Sequence, residues 1–290
     1  MSSESPLPSA VLLLSCPDHP GIIAHLSTFL ADHHGNIVSF DQYVDHDESI
    51  FFARVEWTLD TFDIPLSGFS AAFMPIAVAH EIQYTLHDTT RRPRIAILVS
   101  KQAHCLYEIL SRVESGEWPC EPALVLSNHD TLRPLAERHG LPFHHIPIDA
   151  ATRDVQEPQQ IELLQREHID LVILARYMQI LSPSFIRAFP MRIINIHHSF
   201  LPAFAGARPY KAAHDRGVKI IGATAHYATE NLDEGPIIEQ DVVRVSHRGT
   251  VADWTRLGAD LEKIVLARAV RHHLLHHILI HGRRTIVFGS

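Results

Sequence analysis

Apolar residues follow two different rhythms along this chain of 290 residues. The N-terminal part opens on an apolar run, 10–15, which predicts a strand. A Pro17-Asp18-His19-Pro20-Gly21 turn follows. Ile22, Ile23, Leu26, Phe29 and Leu30 then recur at helical spacing until Gly35-Asn36 ends the helix, as residues tolerant of the left-handed region do. Two β-rich runs over 37–45 and 49–58, a helix over 66–80 and a closing strand over 81–86 complete the order β-α-β-β-α-β. That order predicts a ferredoxin-like α+β unit.

From residue 94 the rhythm changes. Strands are predicted over 94–99, 122–127, 143–146 and 171–175, with helices over 104–114, 130–139 and 158–167 between them. Strands spaced by helices of this length predict a mostly parallel, doubly wound α/β sheet. Residues 192–196 read as a further short strand, 220–227 and 236–245 as two more, and 251–281 as one long terminal helix.

Charge separates the same two regions. Residues 1–90 carry one basic side chain, Arg54, and a net charge of −11, whereas the remainder is net +3. The expected division is therefore a first domain over 1–88, a joint over 89–94 and a second domain over 95–290. An acidic face on one domain gives the same charge step, but the hydrophobic pattern also restarts at Ile95.

Composition removes several classes of function. Leu13-Leu14-Ser15-Cys16 superficially resembles a lipoprotein cleavage site, but no Lys or Arg precedes position 54 and the apolar run is too short for a signal core. No apolar segment reaches the roughly 20 residues that span a bilayer. The three widely spaced cysteines give neither a disulfide framework nor a zinc pattern and fit a reducing compartment. A cytoplasmic protein without membrane or nucleic-acid partners is expected, since the chain is net acidic, −8 overall.

Candidate chemistry concentrates around Asn195-Ile196-His197. Residues two apart on a strand point the same way, so Asn195 and His197 share a side while Ile196 faces the other. The Ser199-Phe200-Leu201-Pro202 turn then places the pair at a strand's carboxyl end, where open α/β sheets bind ligands. Asp233, in the acidic loop 228–235 with Glu230 and Glu234, supplies a carboxylate. A carbonyl under attack becomes an oxyanion, to which the Asn195 amide and a protonated His197 can donate, while Asp233 holds or deprotonates water. Crowding by Glu230 and Glu234 is expected to raise the Asp233 pKa. Separately, Asn195 reads as a turn-former and Asp233 as a solvated acid; their order in the chain favours the joint reading.

Arg176-Tyr177-Met178-Gln179-Ile180-Leu181-Ser182-Pro183, the Asn195 segment, Gly222-Ala223-Thr224-Ala225-His226-Tyr227 and Leu232-Asp233-Glu234-Gly235-Pro236 together resemble the formyl transferase family. The resemblance covers about the last 200 residues. It implies 10-formyltetrahydrofolate as substrate rather than cofactor, with no cofactor or metal. Asn195, His197 and Asp233 would be catalytic, Gln179, Ile180 and Leu181 would receive the pterin, and His226 would stand behind Asp233, with Glu230 also on the substrate side. Members that formylate glycinamide ribonucleotide hold its phosphate with a Gly-Ser-Asn turn after the first strand. Here that strand leads into Ser100-Lys101-Gln102-Ala103-His104-Cys105-Leu106, which has no glycine. With no acceptor held, the resemblance implies that water is the acceptor and that formate and tetrahydrofolate are the products, which would supply formate for purine synthesis and balance the one-carbon folate pool.

The Pro17–Gly21 turn with His34-Gly35-Asn36-Ile37 resembles the ACT domain, a regulatory module that usually binds an amino acid. Glycine or methionine is the effector this implies, with Asp18, Gly21, Asn36 and Ile37 as contacts and a homodimer or homotetramer as the assembly. A module used only for oligomerisation is the alternative. Two rivals to hydrolysis stay open: a formyltransferase with an acceptor site built from 100–106 and 207–216, and a folate- or amino-acid-responsive protein without turnover. His272, His273, His276 and His277 form i,i+4 pairs on the expected terminal helix. Without a carboxylate partner they read as a solvated or interface face rather than a metal site. Arg208 reads equally as a wall of the active site or as a surface ion pair.

Overall fold

The computed structural model describes residues 7–148, 152–203 and 209–289; Arg208 lies outside them. The chain divides into two compact units. One comprises Met1–Arg92 with Leu275–Leu279 and Ile286–Ser290, the other Pro93–Leu274 with Ile280–Thr285.

The first unit runs β1 (Ser9–Pro17), α1 (Ile22–Asp32), β2 (Ile37–Asp45), β3 (Ile50–Thr58), α2 (Leu66–Ala79) and β4 (Gln83–Asp88). Its sheet has the order β2-β3-β1-β4 with antiparallel neighbours, the ferredoxin-like arrangement. The run of apolar residues in β1 is explained by burial on both faces. Leu12 and Leu14 pack with Leu26, Phe29, Phe69 and Phe73 of the helices. Val11 and Leu13 pack on the opposite face with Leu279, Ile286 and Phe288, which arrive from the C-terminus. The lone basic residue of this region is used there: Arg54 donates to the His276 carbonyl at 3.1 Å and to Glu56 at 2.7 Å. Asp18 and Gly21 lie before the first turn of α1, whereas Asn36 and Ile37 follow its last turn. An 11-residue helix is about 16 Å long. Within one chain the expected effector contacts thus fall into two pairs at opposite ends of α1.

The second unit begins β5 (Arg94–Val99), α3 (His104–Glu114), β6 (Glu121–Ser127), α4 (Arg133–Arg138), β7 (Phe143–His145), α5 (Arg153–Arg166), β8 (Leu171–Leu174), α6 (Pro183–Ala188) and β9 (Ile193–His197). It continues with α7 (Pro209–Arg216), β10 (Ile220–Tyr227), β11 (Ile237–Arg244) and α8 (Val251–Leu274). The sheet order is β11-β10-β9-β8-β5-β6-β7, parallel from β9 to β7, with β10 antiparallel to β9 and to β11. Chain order reverses between β5 and β8, so a crevice opens beyond their carboxyl ends, the usual ligand position in such sheets.

Two expectations fail at helix ends. Pro158 does not start its helix but lies inside α5, which begins five residues earlier. The terminal helix stops at Leu274, and β12 (Ile278–His281) and β13 (Arg284–Val287) form a hairpin around Gly282, whose φ of 58° suits such a turn. His276 and His277 are thus off the helix, which removes the i,i+4 histidine pairs. His276 instead stacks on His87 with ring centroids 3.9 Å apart. No helix among the described residues is long and apolar enough to cross a membrane.

Candidate active site

β9 and β10 build the centre of the crevice. Their antiparallel register sets Asn195 directly opposite His226 and His197 opposite Thr224, so alternation along each strand delivers all four to one face. The turn after β9 is fastened by Thr224, whose hydroxyl donates to the Ser199 carbonyl at 2.9 Å and accepts from the Leu201 N–H at 3.0 Å. Asp233 comes from the loop between β10 and β11. That loop folds back tightly, because the Tyr227 N–H donates to the Pro236 carbonyl at 2.9 Å. A Cβ on Gly235 would lie 1.7 Å from the Tyr227 carbonyl oxygen, so only glycine fits. Asp233 itself has φ 57°, a left-handed conformation aspartate tolerates better than most residues.

The loop brings Asp233 Oδ2 to 3.2 Å from His197 Nδ1 and Oδ1 to 3.6 Å from His226 Nε2. Asn195 Nδ2 donates to His226 Nε2 at 3.2 Å. Since His226 Nδ1 lies 2.9 Å from the Tyr227 carbonyl, which can only accept, the His226 proton sits on Nδ1 and Nε2 is free to accept. The remaining Asn195 N–H has no part in that bond. His197 is 6% exposed, and its Nε2 is buried without a partner. A buried imidazole nitrogen beside a carboxylate-held Nδ1 is a poised proton-transfer group.

The expected rise of the Asp233 pKa is overturned. Burial alone would raise it, but the two imidazoles against it, His197 first and then His226, outweigh burial and hold the carboxyl well below the usual range. The neighbouring acids are occupied elsewhere: Glu230 pairs with Arg187 at 2.9 Å and Glu234 with Arg283 at 3.3 Å.

The loop after β8 carries Gln179, Ile180 and Leu181. It is anchored by Ser100 Oγ, which accepts from the Met178 N–H at 3.0 Å, and by buried Glu157, which accepts from the Ser182 N–H at 3.1 Å. Met178 and Ile180 stay 52% and 54% exposed, leaving apolar surface for a flat ring. Leu181 packs inward while Gln179 is half-buried.

Sequence reasoning missed a second cluster beside this one. Glu262 of α8 is 1% exposed; it accepts from Tyr210 at 2.6 Å, lies 2.8 Å from His104 Nε2 and 3.5 Å from Arg176 Nε. A Cβ on Gly258 would lie 2.1 Å from the Tyr210 hydroxyl, so glycine one turn earlier makes room for that contact. Burial would raise the Glu262 pKa, but the hydrogen bond from His104 and the Arg176 charge lower it. The cluster lines a cavity of about 750 Å³ that shares His198 with the His197 strand.

His198 couples charge to stability. Burial, and after it the Arg176 charge, push its pKa from 6.5 to about 4. Between those values the unfolded chain binds the extra proton, so stability is complete above 6.5 and is lost as pH falls through the folded value. Urea unfolding at pH 5 and pH 7 is expected to differ by about 2 kcal/mol from this residue, and His198→Gln is expected to remove that share of the slope. An unchanged slope in the variant would contradict the assignment.

Fold and site together define the class. Residues 93–270 match the formyl transferase family model and residues 10–67 the ACT domain model. Formyltetrahydrofolate deformylase of Synechocystis sp. is 52% identical over 97% of this chain and 99% of its own length. The Bacillus subtilis protein of the same name is 47% identical over 96% and 93%. A solved formyltetrahydrofolate deformylase structure from Pseudomonas syringae superimposes with a TM-score of 0.95 at 44% identity, covering 99% of this chain and 96% of that one. The chain belongs to the formyltetrahydrofolate deformylase family.

Proposed function

We propose that this chain hydrolyses 10-formyltetrahydrofolate to tetrahydrofolate and formate, with Asn195, His197 and Asp233 as its catalytic residues. The observation that carries the reading is the unpartnered, buried Nε2 of His197, held from behind by Asp233 and flanked by the Asn195 amide. The pterin rests against the loop at Gln179, Ile180 and Leu181. As the oxygen of water bonds to the formyl carbon, His197 Nε2 takes its proton. The spare Asn195 N–H donates to the oxyanion. When the C–N10 bond breaks, the imidazolium returns the proton to N10. Asp233, held ionised, keeps the proton of His197 on Nδ1 and stabilises the imidazolium; it is too weak a base for the water-deprotonating role that the sequence suggests for it. His226 positions Asn195. Glu230, in its exposed pair with Arg187, has no direct part.

Water is the acceptor because the turn after β5 offers no phosphate cradle. Gln102 accepts from Arg176 Nε at 2.9 Å, and His104 is engaged by Glu262. The names of the relatives support the same reaction. No cofactor is required, the setting is the cytoplasm, and the ACT unit responds to an amino acid in a homo-oligomer. Asp18 and Gly21 form one end of that effector site; Asn36 and Ile37 belong to a separate surface or to a neighbouring copy's site. Incubation with 10-formyltetrahydrofolate and no other acceptor is expected to release formate and tetrahydrofolate in equal amounts. Turnover only after glycinamide ribonucleotide or another amine is added would make the chain a transferase instead.

A further inference from the structure

The cavity beside the catalytic strand holds a charge the reaction described above does not use. Arg176 follows β8 with φ 63° and is 8% exposed. Its Nε is spent on Gln102 at 2.9 Å and faces Glu262 at 3.5 Å, but its Nη1 is buried with no partner. A guanidinium N–H without an acceptor in a buried site is costly, so an acceptor oxygen brought to it is favoured. Neither Glu262 oxygen meets that need, since one accepts from Tyr210 and the other faces His104 and Arg176 Nε. Lys211 and Arg256 also line the cavity, though each pairs with an acid on its own helix, Asp215 at 2.8 Å and Asp253 at 3.3 Å.

We infer that Arg176 forms a carboxylate subsite, with the Nη1 N–H as donor, that takes the formate generated at the neighbouring catalytic residues and leads it out through this cavity. The inference rests on the hydrolytic reading. Formate produced next to the ionised Asp233 is repelled by it, and Arg176 is a buried cation close enough to His198 for its charge to act on that ring. The two positions are neighbours: His198 lines the cavity, and its ring centroid lies 5.2 Å from that of His197. A path separate from that of the pterin lets the small anion leave before the large product.

The test is calorimetric titration of sodium formate into the full chain without folate, against sodium chloride at matched ionic strength. Saturable binding is expected, weakened about tenfold or more in R176M, since a charge-assisted hydrogen bond is lost. No saturable binding, or equal binding in a folded R176M, overturns the subsite. A crystal structure of the wild-type chain with formate covers the case in which R176M does not fold: density within hydrogen-bond distance of Arg176 Nη1 is expected, and formate bound only elsewhere overturns it. Inorganic phosphate is the second arm; phosphate binding that formate does not displace overturns the carboxylate assignment. The acceptor-free assay stays separate. Hydrolysis without formate at Arg176 sinks the subsite alone, and formate at Arg176 without hydrolysis sinks the reaction alone.

Discussion

Asp233→Asn is expected to lower kcat by about 10³–10⁴-fold while tetrahydrofolate binds as before. The size follows from the hydrogen bonds rather than from lost charge alone. Asp233 accepts at His197 Nδ1, which places the proton there and leaves Nε2 able to receive the proton of water. An asparagine amide in the same place can donate to Nδ1 instead, which moves the histidine proton to Nε2 and blocks its role as base. Serine protease triads respond to the analogous change in the same way, through the wrong histidine tautomer. Fold stability changes less, because Asp233 lies in a loop and keeps its position through the Gly235 and Pro236 backbone. Kinetics at saturating 10-formyltetrahydrofolate, with equilibrium binding of tetrahydrofolate alongside, separate the two effects. Turnover within tenfold of wild type would remove Asp233 from the mechanism. Loss of folate binding in a folded variant would make it a binding residue.

The parts of this site that are legible in the sequence share one property: they follow from strand alternation or from motif order. Asn195 and His197 must share a face once 192–196 is a strand, and β9 has that alternation. The strands of the sheet are also readable, because each apolar run between amphipathic runs becomes one. What stays hidden are acids inside helices. Glu262 sits four residues after Gly258 and four before Leu266, on a stripe that α8 buries. A polar residue on an apolar stripe is the available signal, and it is obscured when the helical pattern is carried on through His281. Glu157 and Gln160 lie on the buried face of α5 with Leu163 and Leu164, but a helix that starts at Pro158 leaves Glu157 out. The direction of the Asp233 pKa is hidden for another reason. Like-charge crowding along a loop is visible in sequence, whereas the partners that neutralise it, Arg187 and Arg283, are 43 and 49 residues distant from the acids they bind. The C-terminal hairpin is signalled by the short apolar run Ile278-Leu279-Ile280 before Gly282, and the helical run upstream masks it.

Asn195→Ala is expected to lower kcat by about 10²–10³-fold with KM little changed, the usual consequence of removing one oxyanion donor. Asn195 touches the reaction only when the carbonyl oxygen carries negative charge, so ground-state binding has little to lose. The competing account makes Asn195 a positioning residue for His226, since the two are joined at 3.2 Å. His226→Phe separates the accounts. It removes the acceptor of the Asn195 N–H and the second partner of Asp233, yet leaves the amide itself in place. If Asn195 donates to the oxyanion, His226→Phe retains more activity than Asn195→Ala, and the double variant falls below either single one. Equal losses in all three would mean that the pair acts as one structural unit. The geometry favours the former outcome: His226 Nδ1 is tied to the Tyr227 carbonyl, which fixes the ring, and the fixed ring takes one amide hydrogen of Asn195 while leaving the other for substrate.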